Sequence, residues 1–275
     1  MNHASKFYTR LTVAAAIVLL FVSAISQSYS ATRSWRGYTS TAWATASNWK
    51  EGAVPTSTDD VVFDSAAINQ PSITTGFPFS LNSITVSVDS IVMSMSSGAT
   101  ATDSISLTAS TGLTISASSK LVLRTPAKTG GNGILVVVNG GGITGTLRLA
   151  DRSRLQPRGS STAITFNSGG LCIDSLSTGN PFGNRGTTGN TVVFSSGSTI
   201  RRHNINANAF ALTAPSSVIV LSHGSTYDTW NASGGSFSGR TYGNFNVHTG
   251  INFNTSALGD SMTIDSLTIE SGAQM

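Results

Sequence analysis

From residue 60 onward the chain repeats one pattern. A short run of β-branched and aliphatic residues is followed by a cluster of Gly, Ser, Asn or Asp, and then by another run. The runs begin with Val61–Phe63, Ile84–Val86, Ile91–Met93, Ile105–Leu107, Leu113–Ile115 and Leu121–Leu123. They continue through Ile134–Val138, Leu147–Leu149, Ile164–Phe166, Leu171–Ile173, Val192–Phe194, Val218–Leu221, Phe245–Val247, Met262–Ile264 and Leu267–Ile269. Many read apolar–polar–apolar, the period of two expected of a strand with one buried face. No window of about a dozen residues carries an apolar stripe of helical period, so helix is expected to be nearly absent.

Two architectures accept such a pattern: an antiparallel β-sandwich, and a right-handed parallel β-helix, or β-solenoid. Three features favour the solenoid. The strands are very short, the runs between Ile84 and Leu123 follow one another closely, and the turns are small, polar and poor in Pro. In a solenoid each short strand stacks on its counterpart in the next coil, so inward positions need Val, Ile, Leu or Phe while outward ones tolerate Ser and Thr. The blocks are only loosely similar and show no strict period, which leaves the coil count open. Thr125–Asn132 and Ser177–Asn190 read as long loops leaving the coil, and Gly140-Gly141-Gly142 reads as a turn.

Composition sharpens this picture. Only 10% of the 275 residues are charged, with two Glu (Glu51, Glu270) and four Lys. That excludes a helical bundle, a coiled coil or ordinary disorder. A lone Cys172 excludes an intrachain disulfide framework and a multi-cysteine zinc site. Residues 1–30 read as a secretory signal peptide: Lys6 and Arg10, an apolar core from Leu11 to Val22, then Ser28-Tyr29-Ser30 before a cut at Ala31. The core is short for a membrane span, and no later stretch is apolar enough to cross a bilayer. Removing the leader takes away two cations, so the formal charge falls from +4 to about +2, which offers little to nucleic acid or an anionic membrane.

The first mature segment stands apart, holding three of the four Trp. It reads Trp35-Arg36-Gly37, Trp43, Asn48-Trp49-Lys50-Glu51-Gly52, Val54-Pro55 and Asp59-Asp60-Val61-Val62-Phe63. This W–x–G…W…N–W–x–x–G–x–x–P…D–D–V–x–F pattern resembles the opening of large secreted bacterial β-helix proteins, the autotransporter-like passengers and Bacteroidetes-type surface proteins. Trp rings can cover the end of a stacked core, where a bare strand edge would invite pairing. Asn48, Asp59 and Asp60 can fix turns by accepting from nearby backbone N–H groups. Core packing explains the Trp cluster better than a sugar platform, since Trp is usually buried for its area. We therefore expect residues 31–80 to be a cap and residues 81–275 to be coils.

Near the other end, Thr241-Tyr242-Gly243-Asn244-Phe245-Asn246-Val247 and Met262–Ala273 resemble the coil repeats of the same secreted proteins, with Phe245 in place of the usual Leu. The resemblance implies a chain that continues into further repeats or a sorting domain for type IX secretion.

Candidate chemistry is sparse. No zinc-protease, nucleophile-elbow or phosphate-loop motif occurs, and no cofactor is implied. His203, His223 and His248 occupy spacings that could stack on successive coils as a metal column, although surface or turn roles are the simpler reading. Asp59, Asp60 and Asp64 are the densest acidic group and read as turn caps. Arg148, Arg152, Arg154 and Arg158 around Asp151 form the densest charged patch. They read first as a solvated face and second, with Trp230, as contacts for an acidic glycan. The expectation is a secreted or cell-surface solenoid with a structural or adhesive role, no catalysis of its own, and polysaccharide or cell-surface partners. The rivals are a carbohydrate-active β-helix enzyme and a passive glycan-binding module.

Overall fold

The structure, a computed structural model, describes residues 30–74, 77–95, 104–126, 135–158, 164–177, 179–183, 189–203, 209–230, 237–251 and 261–273. The leader read over residues 1–30 lies outside them except for Ser30, as does most of the loop read at Thr125–Asn132. Residues 31–275 cluster as one unit.

In chain order the strands are β1 (Thr32–Ser34), β2 (Asp60–Phe63), β3 (Ser72–Ile73), β4 (Phe79–Leu81), β5 (Ser83–Val86), β6 (Ile91–Met95) and β7 (Ser104–Leu107). Next come β8 (Leu113–Ile115), β9 (Lys120–Arg124), β10 (Leu135–Val138), β11 (Gly141–Ile143), β12 (Thr146–Asp151), β13 (Arg154–Pro157) and β14 (Ile164–Phe166). The series closes with β15 (Leu171–Leu176), β16 (Val192–Phe194), β17 (Thr199–Arg202), β18 (Ile219–Leu221), β19 (Thr226–Thr229), β20 (Thr241–Val247) and β21 (Thr263–Ile269). The only helix among the described residues is one 3-10 turn at Ala46–Asn48.

The strands form three sheets, in the orders β1-β2-β5-β8-β11-β14-β16-β18, β3-β6-β9-β12-β15-β17-β19-β20-β21 and β4-β7-β10-β13. All pairings between these strands are parallel. From β2 to β13 the chain visits the first, second and third sheet in turn and returns, from β14 to β19 it alternates between the first and second, and about 7 turns of a β-solenoid result. An antiparallel sandwich is thereby excluded.

The register stacks like on like. In the first sheet one inward row runs Val61, Ile84, Leu113, Gly141, Ile164, Val192 and Ile219. Its neighbour runs Phe63, Val86, Ile115, Ile143, Phe166, Phe194 and Leu221. The second sheet contributes Ile91, Leu121, Leu147, Cys172, Ile200, Tyr227 and Phe245. All these side chains except that of Gly141 are buried apolar ones, each worth about 1.5–3 kcal/mol for an aliphatic or Phe removed from water. Phe166 and Phe194 lie face to face, with centroids 4.4 Å apart and planes at 4°.

Two expectations need correction. Gly141 and Gly142 are not turn residues but part of β11, between Leu113 and Ile164. A Cβ on Gly141 would stand 2.6 Å from the Leu113 carbonyl oxygen, so the missing side chain lets the two rungs close. The stretch Ser177–Asn190 does not simply leave the coil. Pro181 O accepts from Leu155 N at 2.9 Å, and Phe182 is fully buried against Phe166 and Phe194. Phe182, Phe210 and Phe237 are buried at chain positions where a third-sheet strand would fall in the later turns. Among the described residues a buried ring stands there in place of a third-sheet strand. This also explains the missing period: register partners are 29 residues apart at Ile84 and Leu113 but 18 apart at Thr226 and Asn244.

Stacking begins inside the segment read as a cap, because β1 is the first rung of the first sheet. Trp35, Trp43 and Trp49 are buried and pack on one another, Trp43 and Trp49 edge to face at 4.6 Å. Their indole N–H groups donate to Asn69 O (Trp35) and Trp43 O (Trp49), both at 2.9 Å. The fully buried Asn48 accepts through Oδ1 from Thr39 N, Thr39 Oγ1 and Ser40 N, and donates through Nδ2 to Ser40 Oγ and Ala42 O. Asp59 accepts from Thr56 N, Ala31 N and Arg33 Nε, while Asp60 accepts from Asn82 Nδ2 and Ser83 Oγ of the next turn. Pro55 lies between, partly buried in the turn that leads to Asp59. Burial would raise the Asp59 pKa, but these donors outweigh it and hold it below the usual range.

Candidate functional site on the outward face of the second sheet

Residues alternate in and out along each strand, so the second sheet also stacks outward columns. One runs Val92, Val122, Arg148, Ile173, Arg201, Asp228, Asn246 and Thr268. The column beside it continues the register past the strand ends. His203 N donates to Asp174 O, Trp230 N to Arg202 O, His248 N to Thr229 O and Glu270 N to Val247 O. Ser175, His203, Trp230, His248 and Glu270 therefore follow one another on successive rungs.

These two columns build one polar cluster. Asp228 is buried and accepts from Arg201 Nε (2.7 Å) and Trp230 Nε1 (3.0 Å), and bonds His248 Nε2 at 2.5 Å. His248 Nδ1 bonds Glu270 Oε1 at 2.7 Å. Both ring nitrogens thus face carboxylate oxygens, which only accept, so both must carry a proton and the ring is an imidazolium. Burial alone would lower the His248 pKa, but the bonds to Asp228 and Glu270 outweigh it and raise it. Burial would likewise raise Asp228, and its bonds to Arg201, His248 and Trp230 bring it below the usual range. The Trp230 ring stacks on His248 at 3.8 Å, with His203 at 5.7 Å and the Arg201 guanidinium 5.6 Å from its centroid. Trp230 thus lies between His203 and His248, yet 46% of the residue stays exposed.

The positions singled out from the sequence separate at a corner. Arg148 is exposed on this face, on the column of Arg201. Arg152 sits in the turn after β12, where its backbone N donates to Thr125 Oγ1. Arg154 is only 7% exposed, in β13 of the third sheet, with its guanidinium pressed against Gly179. Burial, assisted by Arg152, pushes the Arg154 pKa down. Arg158 is exposed just beyond β13. Of the four arginines, Arg148 alone lies on the second-sheet face with Trp230. Asp151 instead serves Arg124 and the Thr125 backbone N. His203 and His248 do share a column, but Trp230 stands between them, and His223 is elsewhere, bonded to Asp265. Among the described residues no group of three or more His, Cys, Asp or Glu is placed to hold a metal ion.

Arg201, Asp228 and Glu270 were not legible as partners, since they are 27 and 42 residues apart and meet only through the register. The spacing of His203 and His248 was the one hint. A buried pair lies on the inward side of the same strands. Asp174 Oδ2 accepts from Arg202 Nε at 3.1 Å, and Arg202 Nη1 donates to Tyr227 Oη at 3.1 Å. Burial pushes the Asp174 carboxyl up against the pull of Arg202.

A groove of about 490 Å³ opens beside β18, lined by Phe210, Pro215, Ile219, Leu221 and Arg240 among others. Arg240 lies over the Phe210 ring at 4.1 Å and donates through Nη2 to Leu212 O and Ser216 O. Ser217 Oγ covers the strand edge, accepting from Ile219 N and donating to Ile219 O.

The architecture defines the chain as a parallel β-solenoid with an aromatic first turn. A family model described as a domain of unknown function, DUF8693, matches residues 34–139. The match runs from β1 to just past β10, so the outward cluster from Arg148 to Glu270 lies beyond it. Comparisons with curated proteins and with solved structures return no match. Among the described residues no helix is long and apolar enough to cross a membrane.

Proposed function

We propose that the chain is a secreted or cell-surface segment in which the solenoid is a stiff spacer and its outward faces meet glycans or other cells, without catalysis of its own. The observation that carries this reading is the parallel stacking of the first two sheets from turn to turn, which devotes the sequence to a solenoid of fixed register. The buried carboxylates support it. Asp59 holds a turn, Asp174 faces Arg202, and Asp228 is shared by Arg201, Trp230 and His248. An acid–base pair for glycoside cleavage needs carboxyl groups that face a substrate. His248, with both nitrogens occupied, has no free lone pair to act as a base. The leader read from the sequence over residues 1–30 and the resemblance of the opening motif to secreted surface proteins support an extracellular setting.

The test has two arms. Retention on at least one member of a panel of immobilised neutral and acidic glycans is expected. No rise in reducing or unsaturated ends is expected when the chain is incubated with the same polysaccharides, with or without calcium. Depolymerisation would overturn the non-catalytic reading, and absence of retention on every glycan would overturn the adhesive one.

A further inference from the structure

Resting on the reading of the outward surface as a glycan contact, we infer that the second-sheet face from β12 to β19 is a strip for an acidic polysaccharide. Its carboxylates or sulfates would meet Arg148 and Arg201, and the exposed part of Trp230 would border one end.

Arg148 and Arg201 stand on one outward column with Ile173 between them. Two rung spacings place their backbones about 10 Å apart along the stacking direction. Arg148 is exposed and makes no ion pair with an acid among the described residues. Asp228 grips Arg201 through Nε, which orients the guanidinium and leaves its terminal nitrogens without an acid among the described residues. Arg201 is therefore held in place while Arg148 is open to solvent, and a planar fork suits a carboxylate or a sulfate.

His203 stands beside Arg201. Burial first, and then the charges of Arg201 and Arg148, push its pKa down against the opposite pull of Asp228 and Asp174. Of the acids on this face, Asp228 stands on the rung next to Arg201 and is shared by Arg201, Trp230 and His248, and Glu270 bonds His248, so the arginine without an acid among the described residues is Arg148. A polyanion with charged groups along its length fits this geometry because the two guanidinium groups stand two rungs apart on one column. Two arginines on a chain of small net charge fall short of the several phosphate contacts that nucleic acids demand.

The experiment uses the full chain and four probes: polygalacturonate for carboxylates, dextran sulfate for sulfates, plain dextran, and a DNA oligonucleotide. Variants are Arg148→Ala, Trp230→Ala and, as a control off the face, Arg158→Ala. Binding to one or both acidic polymers is expected, weakened by salt, and the polymer retained identifies the anionic group. Arg148→Ala should weaken it about tenfold, the order of one charge-assisted hydrogen bond, and Arg158→Ala should leave it unchanged. Trp230→Ala should weaken it less than Arg148→Ala. Equal losses for Arg148→Ala and Arg158→Ala, equal binding of plain dextran, or tighter binding of DNA would overturn the inference. Retention of neutral glycan with no effect of Arg148→Ala would sink this strip while leaving the adhesive reading intact. No retention of any glycan would remove both.

Discussion

Removing Arg202 alone should destabilise the fold far more than removing Arg202 together with Asp174. The inward row of the second sheet reads Met93, Leu123 and Leu149, then Asp174 and Arg202, then Thr229 and Val247. Two charges thus interrupt a row that is aliphatic at both ends. Asp174 is 0% exposed and Arg202 4%. Arg202→Met leaves the carboxylate without its cation and the Tyr227 hydroxyl without its donor. Breaking a buried pair on one side costs about 3–5 kcal/mol. The double variant Asp174→Leu with Arg202→Met continues the aliphatic row, and such replacements range from neutral to about 1–4 kcal/mol stabilising. The assay is urea unfolding at pH 7 on the wild type, both single variants and the double, with the coupling taken from the cycle. A double variant as unstable as the sum of the singles would refute the reasoning, since the pair would then not be the coupled unit that its geometry implies.

Two further outcomes follow from the same structure. His248 has a raised folded pKa, so its contribution is fully present below the unfolded value of about 6.5 and is lost as pH rises through the folded value. Asp228 and Glu270, both lowered, contribute above the unfolded carboxylate values and lose that contribution on acidification. Stability measured against pH should therefore decline on the alkaline side of the His248 titration in the wild type, and His248→Gln should flatten that decline; an unchanged slope would dismiss the imidazolium clamp. Phe182→Ala should cost about 3–5 kcal/mol in denaturant unfolding, because a ring at 0% exposure leaves a cavity beside the stacked Phe166 and Phe194. A loss below about 1 kcal/mol would show that this turn segment does not belong to the core.

The local pattern was legible because its causes are local. Twelve of the fifteen apolar runs read from the sequence lie wholly within strands, those at 134–138, Val218–Leu221 and Met262–Ile264 overlap one, and alternation along Ile84–Val86 or Leu147–Leu149 places the right side chains inward. The Trp cluster and the turn roles of Asn48 and Asp59 were readable for the same reason, since indole area and short acceptors act on near neighbours. What escaped were strands whose composition argues against strand: Gly141–Ile143 with its two glycines, Arg154–Pro157 with Arg and Pro, and Thr199–Arg202 and Thr226–Thr229 with buried charges. They form because neighbouring turns offer a paired edge, on both sides for β11, β17 and β19 and from β10 alone for β13, and pairing outweighs intrinsic preference.

The candidate face belongs wholly to the tertiary level. Arg148, Arg201, Asp228, Trp230, His248 and Glu270 carry no shared spacing, because each turn is a different length. Their neighbours are set by a register that the inward rows impose, and a shift of one residue would turn every one of them toward the core. The amino-acid order therefore determined that this chain forms short strands with one apolar side. Stacking decided which polar residues meet, since contact between turns depends on rung alignment and not on distance along the chain.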